Sequence, residues 1–138
     1  MQLDDTSPLL ICLDLEAGSE QLLAYAAHHV RRCQQTVRVL HVSRAELDAA
    51  RSDALQQQIR KLLDRVFPDI SPPAIDIEVG LAEDRIVEVA QRCQADPVLL
   101  GRRRRATVER IYVGSTTSAV LSLATRPVLV VPVDPSRT

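Results

Sequence analysis

The sequence alternates short apolar segments with longer amphipathic ones. The apolar segments are rich in Val, Ile and Leu, as buried strands of a parallel sheet are. They span Leu9–Leu13, Val37–Val42, Ile75–Val79, Pro97–Leu100 and Pro127–Val131. Strands that alternate with helices form parallel sheets through right-handed crossovers. The pattern therefore predicts an α/β fold, an open five-stranded parallel sheet with helices on both faces.

Four amphipathic patterns indicate the helices of this fold. They lie around Leu22–Val30, Leu47–Val66, Ile86–Cys93 and Val120–Ala124. In the first helix the apolar residues fall on one stripe, as they do in a helix that packs on a sheet. Ser19 precedes this stripe and is of a residue type that commonly caps helix N-termini. We therefore expect the first helix to begin after a Ser19 cap.

Length and composition restrict the class of protein. A chain of 138 residues suits one domain with a continuous core, which we take to span 1–138. The formal net charge of −1 gives no overall attraction to nucleic acid or to membranes. Only two Tyr and one Phe are present, so stacking surfaces for single-stranded nucleic acid are scarce. These features favour neither a nucleic-acid nor a membrane partner.

The N-terminal sequence and the cysteines bear on cellular location. No segment is apolar enough to span a bilayer, and the start of the chain lacks the basic and apolar regions of a secretory signal. Cys12, Cys33 and Cys93 form no C-x-x-C pair, and their odd number fits no complete disulfide framework. We expect a cytoplasmic protein whose cysteines are small buried side chains. His28 and His29 have no partner at metal-ligand spacing, so no metal site is predicted.

Polar residues and glycines follow the predicted strands at the places where ligands bind in such folds. Open parallel sheets bind ligands beyond the carboxyl ends of their strands, where the strand order reverses. Asp14, His41, Gly80 and Gly101 lie at these ends, and Asp14 neighbours Gly101 if the first and fourth strands are adjacent. After Gly101 come a loop with the arginine run 102–105 and a helix that opens on Gly114-Ser115. Backbone N–H groups, a hydroxyl and guanidinium groups around one opening predict an anion site, with phosphate as the first candidate.

These residues resemble the universal stress protein family over Leu9 to Pro132. ATP-binding members of that family carry Gly-x-x-Gly, nine further residues and Gly-Ser or Gly-Thr. Gly101 and Gly114-Ser115 match this spacing, whereas Arg104 occupies the position of the second glycine. The segment from Asp14 to Ser19 is also longer than the corresponding Asp-x-Ser turn, as in a subgroup in which binding is weak or absent.

The resemblance implies a site for an adenine nucleotide, ATP or AMP. Its residues would be Leu13, Asp14, Val42, Leu100, Gly101, Arg104, Gly114, Ser115 and Thr116. The base would pack on apolar strand ends, Asp14 would bind the ribose, and the phosphates would meet the glycine loop and the helix. Arg104 would either fill the phosphate space or supply a charged contact to it. Asp14 has an equally reasonable structural role, that of bonding nearby backbone N–H groups.

Two functions follow from this reading. One is a nucleotide-binding stress regulator, and the other is a degenerate, stress-associated interaction module that no longer binds nucleotide. Asp14, Glu16 and Asp84 could hold Mg²⁺ beside phosphates, but no catalytic set emerges, so we expect no enzyme beyond slow, incidental ATP hydrolysis. His41 is interpreted as a packed or capping residue rather than a ligand. Val128–Val133 is predicted to be an apolar edge strand, and the resemblance implies a homodimer through it.

Overall fold

The computed structural model describes residues 6–68, 72–103 and 114–134. Within them, strands and helices alternate without exception. The strands are β1 (Leu9–Cys12), β2 (Val37–Ser43), β3 (Ala74–Val79), β4 (Val98–Arg103) and β5 (Val128–Val133). The helices are α1 (Ser19–Cys33), α2 (Ala49–Val66), α3 (Ala82–Cys93) and α4 (Ser115–Leu123). The predicted α/β alternation is confirmed.

The strands form one parallel sheet with the order β3-β2-β1-β4-β5. The first and fourth strands are therefore neighbours, as the proximity of Asp14 and Gly101 required. The chain moves toward one edge through β1, β2 and β3, then crosses to β4 and moves toward the other edge. The order thus reverses between β1 and β4, which is where a crevice opens in sheets of this kind.

Two apolar clusters cover the two faces of the sheet. One contains Leu23, Ile59 and Leu99, and it packs α1 and α2 against one face. The other contains Leu40, Val89 and Val120, and it packs α3 and α4 against the opposite face. All six side chains are at most 1% exposed. Helices therefore cover both faces, as the sequence predicts.

The fourth strand extends beyond its predicted end. Sequence analysis ended it at Leu100 and assigned the arginine run to a loop, but β4 continues through Arg103. Arg102 pairs in register with Pro132, and Arg103 pairs with Val133. Pairing with β5 therefore keeps these two charged residues in the strand. Arg104 and Arg105 lie outside the described residues.

The start of α1 also differs from the expectation. Gly18, not Ser19, is the N-cap residue, and its φ of 99° is one that glycine adopts readily. A Cβ at Gly18 would approach Val133 to 2.8 Å, so the turn lies directly against β5. The Ser19 hydroxyl donates to the Glu16 carbonyl at 2.8 Å and makes no cap hydrogen bond. At the second helix, Asp48 is the cap residue and Leu47 precedes the helix.

The cysteines differ in their surroundings. Cys33 is exposed at the end of α1, so the expectation that all three are buried is wrong for it. Cys12 and Cys93 are partly buried beside the α3 and α4 cluster. Burial raises the pKa of both thiols, and most strongly that of Cys12. Among the described residues, no helix has the length and apolar character needed to cross a membrane.

Candidate functional site

A cavity of about 500 Å³ lies at the carboxyl ends of the central strands, and we call it the carboxyl-end cavity. Eight residues predicted from the sequence line it: Leu13, Asp14, Val42, Leu100, Gly101, Gly114, Ser115 and Thr116. Arg104, the ninth, lies outside the described residues. Gly101 of β4 and the opening of α4 thus border the same space.

One side of the carboxyl-end cavity is apolar. The aliphatic side chains of Leu40, Val42 and Leu100 line it at the strand ends, and Ala82 and Ile86 line it from the start of α3. The sequence placed Ile86 on the buried stripe of a helix but gave no sign that it borders the cavity. That contact depends on the crossover that carries α3 over the ends of β1 and β2.

The other side is formed by β4 and by the N-terminus of α4. Gly114 is the N-cap residue of α4 and makes no side-chain cap hydrogen bond. The first N–H groups of a helix have no partner inside the helix and carry partial positive charge. Here these groups belong to the turn formed by Ser115, Thr116 and Thr117, which lines the cavity. This end of the cavity therefore suits a negatively charged group.

Protein packing does not by itself require glycine at either glycine of the motif. A Cβ added at Gly114 would meet no described atom within 4 Å. A Cβ at Gly101 would meet Leu22 and Val133 at ordinary contact distances of 3.7 and 3.8 Å. Neither glycine has a positive φ. The described residues leave the space beside Gly114 open, so they do not prevent a ligand from approaching the backbone there.

Asp14 is held by its own turn and by an arginine from β4. Its Oδ1 accepts a hydrogen bond from the Glu16 N–H at 2.9 Å and lies 3.5 Å from the Ser19 hydroxyl, which donates to the Glu16 carbonyl. Its Oδ2 accepts a charged hydrogen bond from Arg103. The structural role considered for Asp14 is therefore present, and its side chain nevertheless remains 57% exposed at the cavity. No sequence pattern indicates Arg103 as its partner.

His41 supports the end of β1 from the neighbouring strand. Its Nδ1 lies 2.7 Å from the Leu13 carbonyl oxygen, so this nitrogen carries the proton and donates. The interpretation of His41 as a capping residue is confirmed by this bond. It holds the carbonyl next to Asp14 in place and does not line the carboxyl-end cavity.

The three carboxylates suggested for Mg²⁺ are not assembled into one site. Asp14 lines the cavity, but Glu16 and Asp84 do not. Asp14 and Glu16 share the Arg103 guanidinium, whose charge opposes a cation beside them. Within residues 6–68, 72–103 and 114–134, no group of three or more His, Cys, Asp or Glu side chains is arranged to hold a metal.

The sheet order and the carboxyl-end cavity define an α/β domain with a cavity where the strand order reverses, which is where such folds bind ligands. This chain belongs to the universal stress protein family, whose model matches residues 6–132. The match confirms the resemblance seen in the Gly101 to Ser115 spacing. No curated protein matches the sequence.

Solved structures share the fold at low sequence identity. The universal stress protein UspA from Lactobacillus plantarum is 22% identical with a TM-score of 0.72, over 94% of this chain and 99% of that one. A universal stress protein from Archaeoglobus fulgidus in complex with dAMP is 17% identical with a TM-score of 0.64, over 90% and 96% of the two chains. A universal stress protein in complex with cAMP is 17% identical with a TM-score of 0.70, over 92% and 97%.

Proposed function

We propose that this protein is a regulator that binds an adenine nucleotide, ATP or AMP, in the carboxyl-end cavity and acts in a stress response. The observation that carries the proposal is the division of this cavity into an apolar side and a side with a helix N-terminus and two arginines. A nucleotide has the same division, with a flat base at one end and phosphates at the other. Structures of the same fold in complex with dAMP and with cAMP support this choice of ligand.

Each part of the ligand has a matching part of the cavity. The base would lie against Val42, Ile86 and Leu100, and the ribose hydroxyls would donate to the exposed carboxylate of Asp14. The phosphates would lie between Gly101 and the first turn of α4. Arg102 lines the cavity, and its side chain makes no hydrogen bond or ion pair with any described residue, so its guanidinium is available to phosphate.

The proposed activity is regulation through binding rather than catalysis. A bound nucleotide shifts a protein between conformations only if it binds them with different affinities. The phosphates are proposed to contact β4 and the N-terminus of α4, so nucleotide would act first on these two elements. A partner protein that contacts their exposed surface would then sense the nucleotide. The cytoplasmic location expected from the sequence stays a prediction.

The homodimer belongs to the same proposal. β5 is an edge strand of the described sheet, and Val128, Leu129 and Val130 on it are only partly buried. An apolar edge strand tends to pair with another strand. Leu121 and Leu123, 49% and 52% exposed on the preceding helix, add apolar surface on this part of the chain. A second copy of the chain would cover the β5 edge by two-fold pairing.

Calorimetric titration with ATP, AMP and adenosine tests the proposal. We expect binding of all three, because the base and ribose contacts are common to them. Arg102→Met should weaken ATP binding most, AMP binding less and adenosine binding least, because it removes a phosphate contact. Arg85→Met is the control, since Arg85 pairs with Glu88 on α3 and does not line the cavity. The absence of heat with all three ligands at millimolar concentration would overturn the proposal.

One observation favours the alternative, an interaction module without nucleotide. The Asp14 carboxylate that would bind ribose is already paired with Arg103. If the wild-type protein gives no heat with any ligand while the β5 dimer forms, the module is the better account.

A further inference from the structure

Arg103 links β4 to the turn between β1 and α1, and residues of both line the carboxyl-end cavity. Its guanidinium contacts Asp14 and lies 2.7 Å from a carboxylate oxygen of Glu16. Its Nε also donates to the Ala17 carbonyl oxygen at 3.4 Å. We call these three contacts the Arg103 clasp. They connect the last residue of β4 with the turn between β1 and α1.

The turn on the other side of the clasp has a constrained shape. Leu15 has a φ of 63°, in the left-handed region that few residues with a side chain adopt. Gly18 lies against Val133. Asp14 bonds the Glu16 N–H, which fixes its carboxylate toward the turn. The clasp therefore holds a turn that already presents two carboxylates to one guanidinium.

Either of the two carboxylates can neutralise the Arg103 guanidinium. When Asp14 turns toward a ligand, Glu16 still neutralises Arg103. Glu16 is 68% exposed and does not line the cavity, so it is free to serve this role without touching the ligand. Arg102, one residue earlier, has no such acidic partner among the described residues. The two neighbouring arginines thus differ in role, one paired with the turn and one open to the cavity.

We propose that the Arg103 clasp is an ion-pair gate that controls entry to the carboxyl-end cavity. When closed, it draws the β1–α1 turn toward β4 and occupies the carboxylate that a ribose would use. Ligand binding requires Asp14 to leave Arg103, so the clasp lowers nucleotide affinity until it opens. The opening and closing of the gate does not depend on the proposed function, whereas its effect on nucleotide affinity rests on it.

Cys12 provides a measurement of the gate that needs no nucleotide. Cys12 lines the cavity, so a neutral alkylating reagent such as iodoacetamide must enter the cavity to reach its thiol. Because burial raises the pKa of Cys12 and only the thiolate reacts, all proteins are compared with excess reagent at one fixed pH of about 9. Exposed ion pairs contribute little and weaken in salt, so we expect Arg103→Met to raise the Cys12 alkylation rate by about two- to fivefold. Mass spectrometry of the separate cysteine peptides gives the rate for each thiol. Exposed Cys33, and Cys93, which does not line the cavity, are internal references.

One variant and one condition isolate the clasp. Arg85→Met breaks a pair of similar exposure on α3, outside the cavity, and it should leave the Cys12 rate unchanged. Raising NaCl from 0.05 to about 1 M should speed Cys12 alkylation in the wild type but not in Arg103→Met. Equal Cys12 rates in the wild type and Arg103→Met would overturn the gate.

Nucleotide titrations then separate the gate from the proposed function. If both hold, Arg103→Met binds adenosine about two- to fivefold more tightly than the wild type, because Asp14 is released. Faster Cys12 alkylation without any nucleotide binding would leave the gate standing and reject the nucleotide. Nucleotide binding with an unchanged Cys12 rate would reject the gate alone. Weaker adenosine binding in Arg103→Met would also overturn the gate, since Arg103 would then support the ligand.

Discussion

Replacing Gly114 by aspartate should weaken nucleotide binding without weakening the fold. Gly114 has φ −60° and ψ 160°, an ordinary conformation for any residue. A Cβ there meets no described atom within 4 Å, so the new side chain fits. Aspartate is also a better N-cap residue than glycine, by a few tenths of a kcal/mol. Gly114→Asp should therefore be at least as resistant to urea as the wild type.

The same substitution should weaken ATP binding, by much more free energy than it adds to the stability of the fold. The new carboxylate would lie at the opening of α4, where the phosphates are proposed to bind. Two negative charges about 4 to 6 Å apart repel by about 3 to 4 kcal/mol at an effective dielectric constant of about 20. This corresponds to an affinity for ATP lowered by about 10²- to 10³-fold. Adenosine, which lacks phosphate, should lose much less.

Gly114→Asn is the matched control. Asparagine has nearly the same shape and caps helices equally well, but it carries no charge. Calorimetry with ATP and adenosine gives the affinities, and urea unfolding gives the stability of each variant. If the aspartate and asparagine variants bind ATP equally well, phosphate does not lie at the α4 N-terminus and the proposed placement is wrong.

Three further predictions concern other parts of the molecule. Burial raises the pKa of Cys12, so the folded protein keeps the thiol proton above about pH 9, where the unfolded chain loses it. The free energy of unfolding therefore falls as the pH rises. Between pH 8 and 10, the free energy of unfolding measured in urea should fall by up to about 1.4 kcal/mol per pH unit because of this thiol. Cys12→Ala should reduce this fall, and an identical fall in the variant would contradict the prediction. Val130→Lys should convert a dimer into a monomer in sedimentation at micromolar concentration, and a wild-type monomer there would reject the β5 interface. Arg104→Gly should strengthen ATP binding if Arg104 obstructs the phosphate space, and weaker binding in calorimetry would instead make Arg104 a phosphate ligand.

The strand arrangement could be predicted because it follows from local patterns. Apolar runs that alternate with amphipathic segments impose a parallel sheet, and parallel strands bring their carboxyl ends to one edge. This reasoning placed Asp14 beside Gly101 and brought both to the same cavity as Ser115. The spacing between Gly101 and Gly114 also indicated the universal stress protein family.

Features set by long-range pairing could not be predicted in this way. Arg103 belongs to β4 because it pairs with Val133, and no local signal distinguishes it from a loop residue. Its contact with Asp14 follows from that extension of the strand. Ser19 has the side chain of a cap residue, but Gly18 takes the cap position in a left-handed conformation against β5. The predicted end of β4 and the predicted cap of α1 were both wrong because segments distant in sequence determine the backbone conformation there.

The most direct test of the nucleotide site is an NMR titration of ¹⁵N-labelled protein with AMP. The account predicts that amide signals of Gly101, Ser115 and Thr116 shift most, in a saturable manner. Amides of α2, such as Gln58, should stay in place. Unchanged spectra at millimolar AMP, or shifts confined to residues outside the carboxyl-end cavity, would contradict the account.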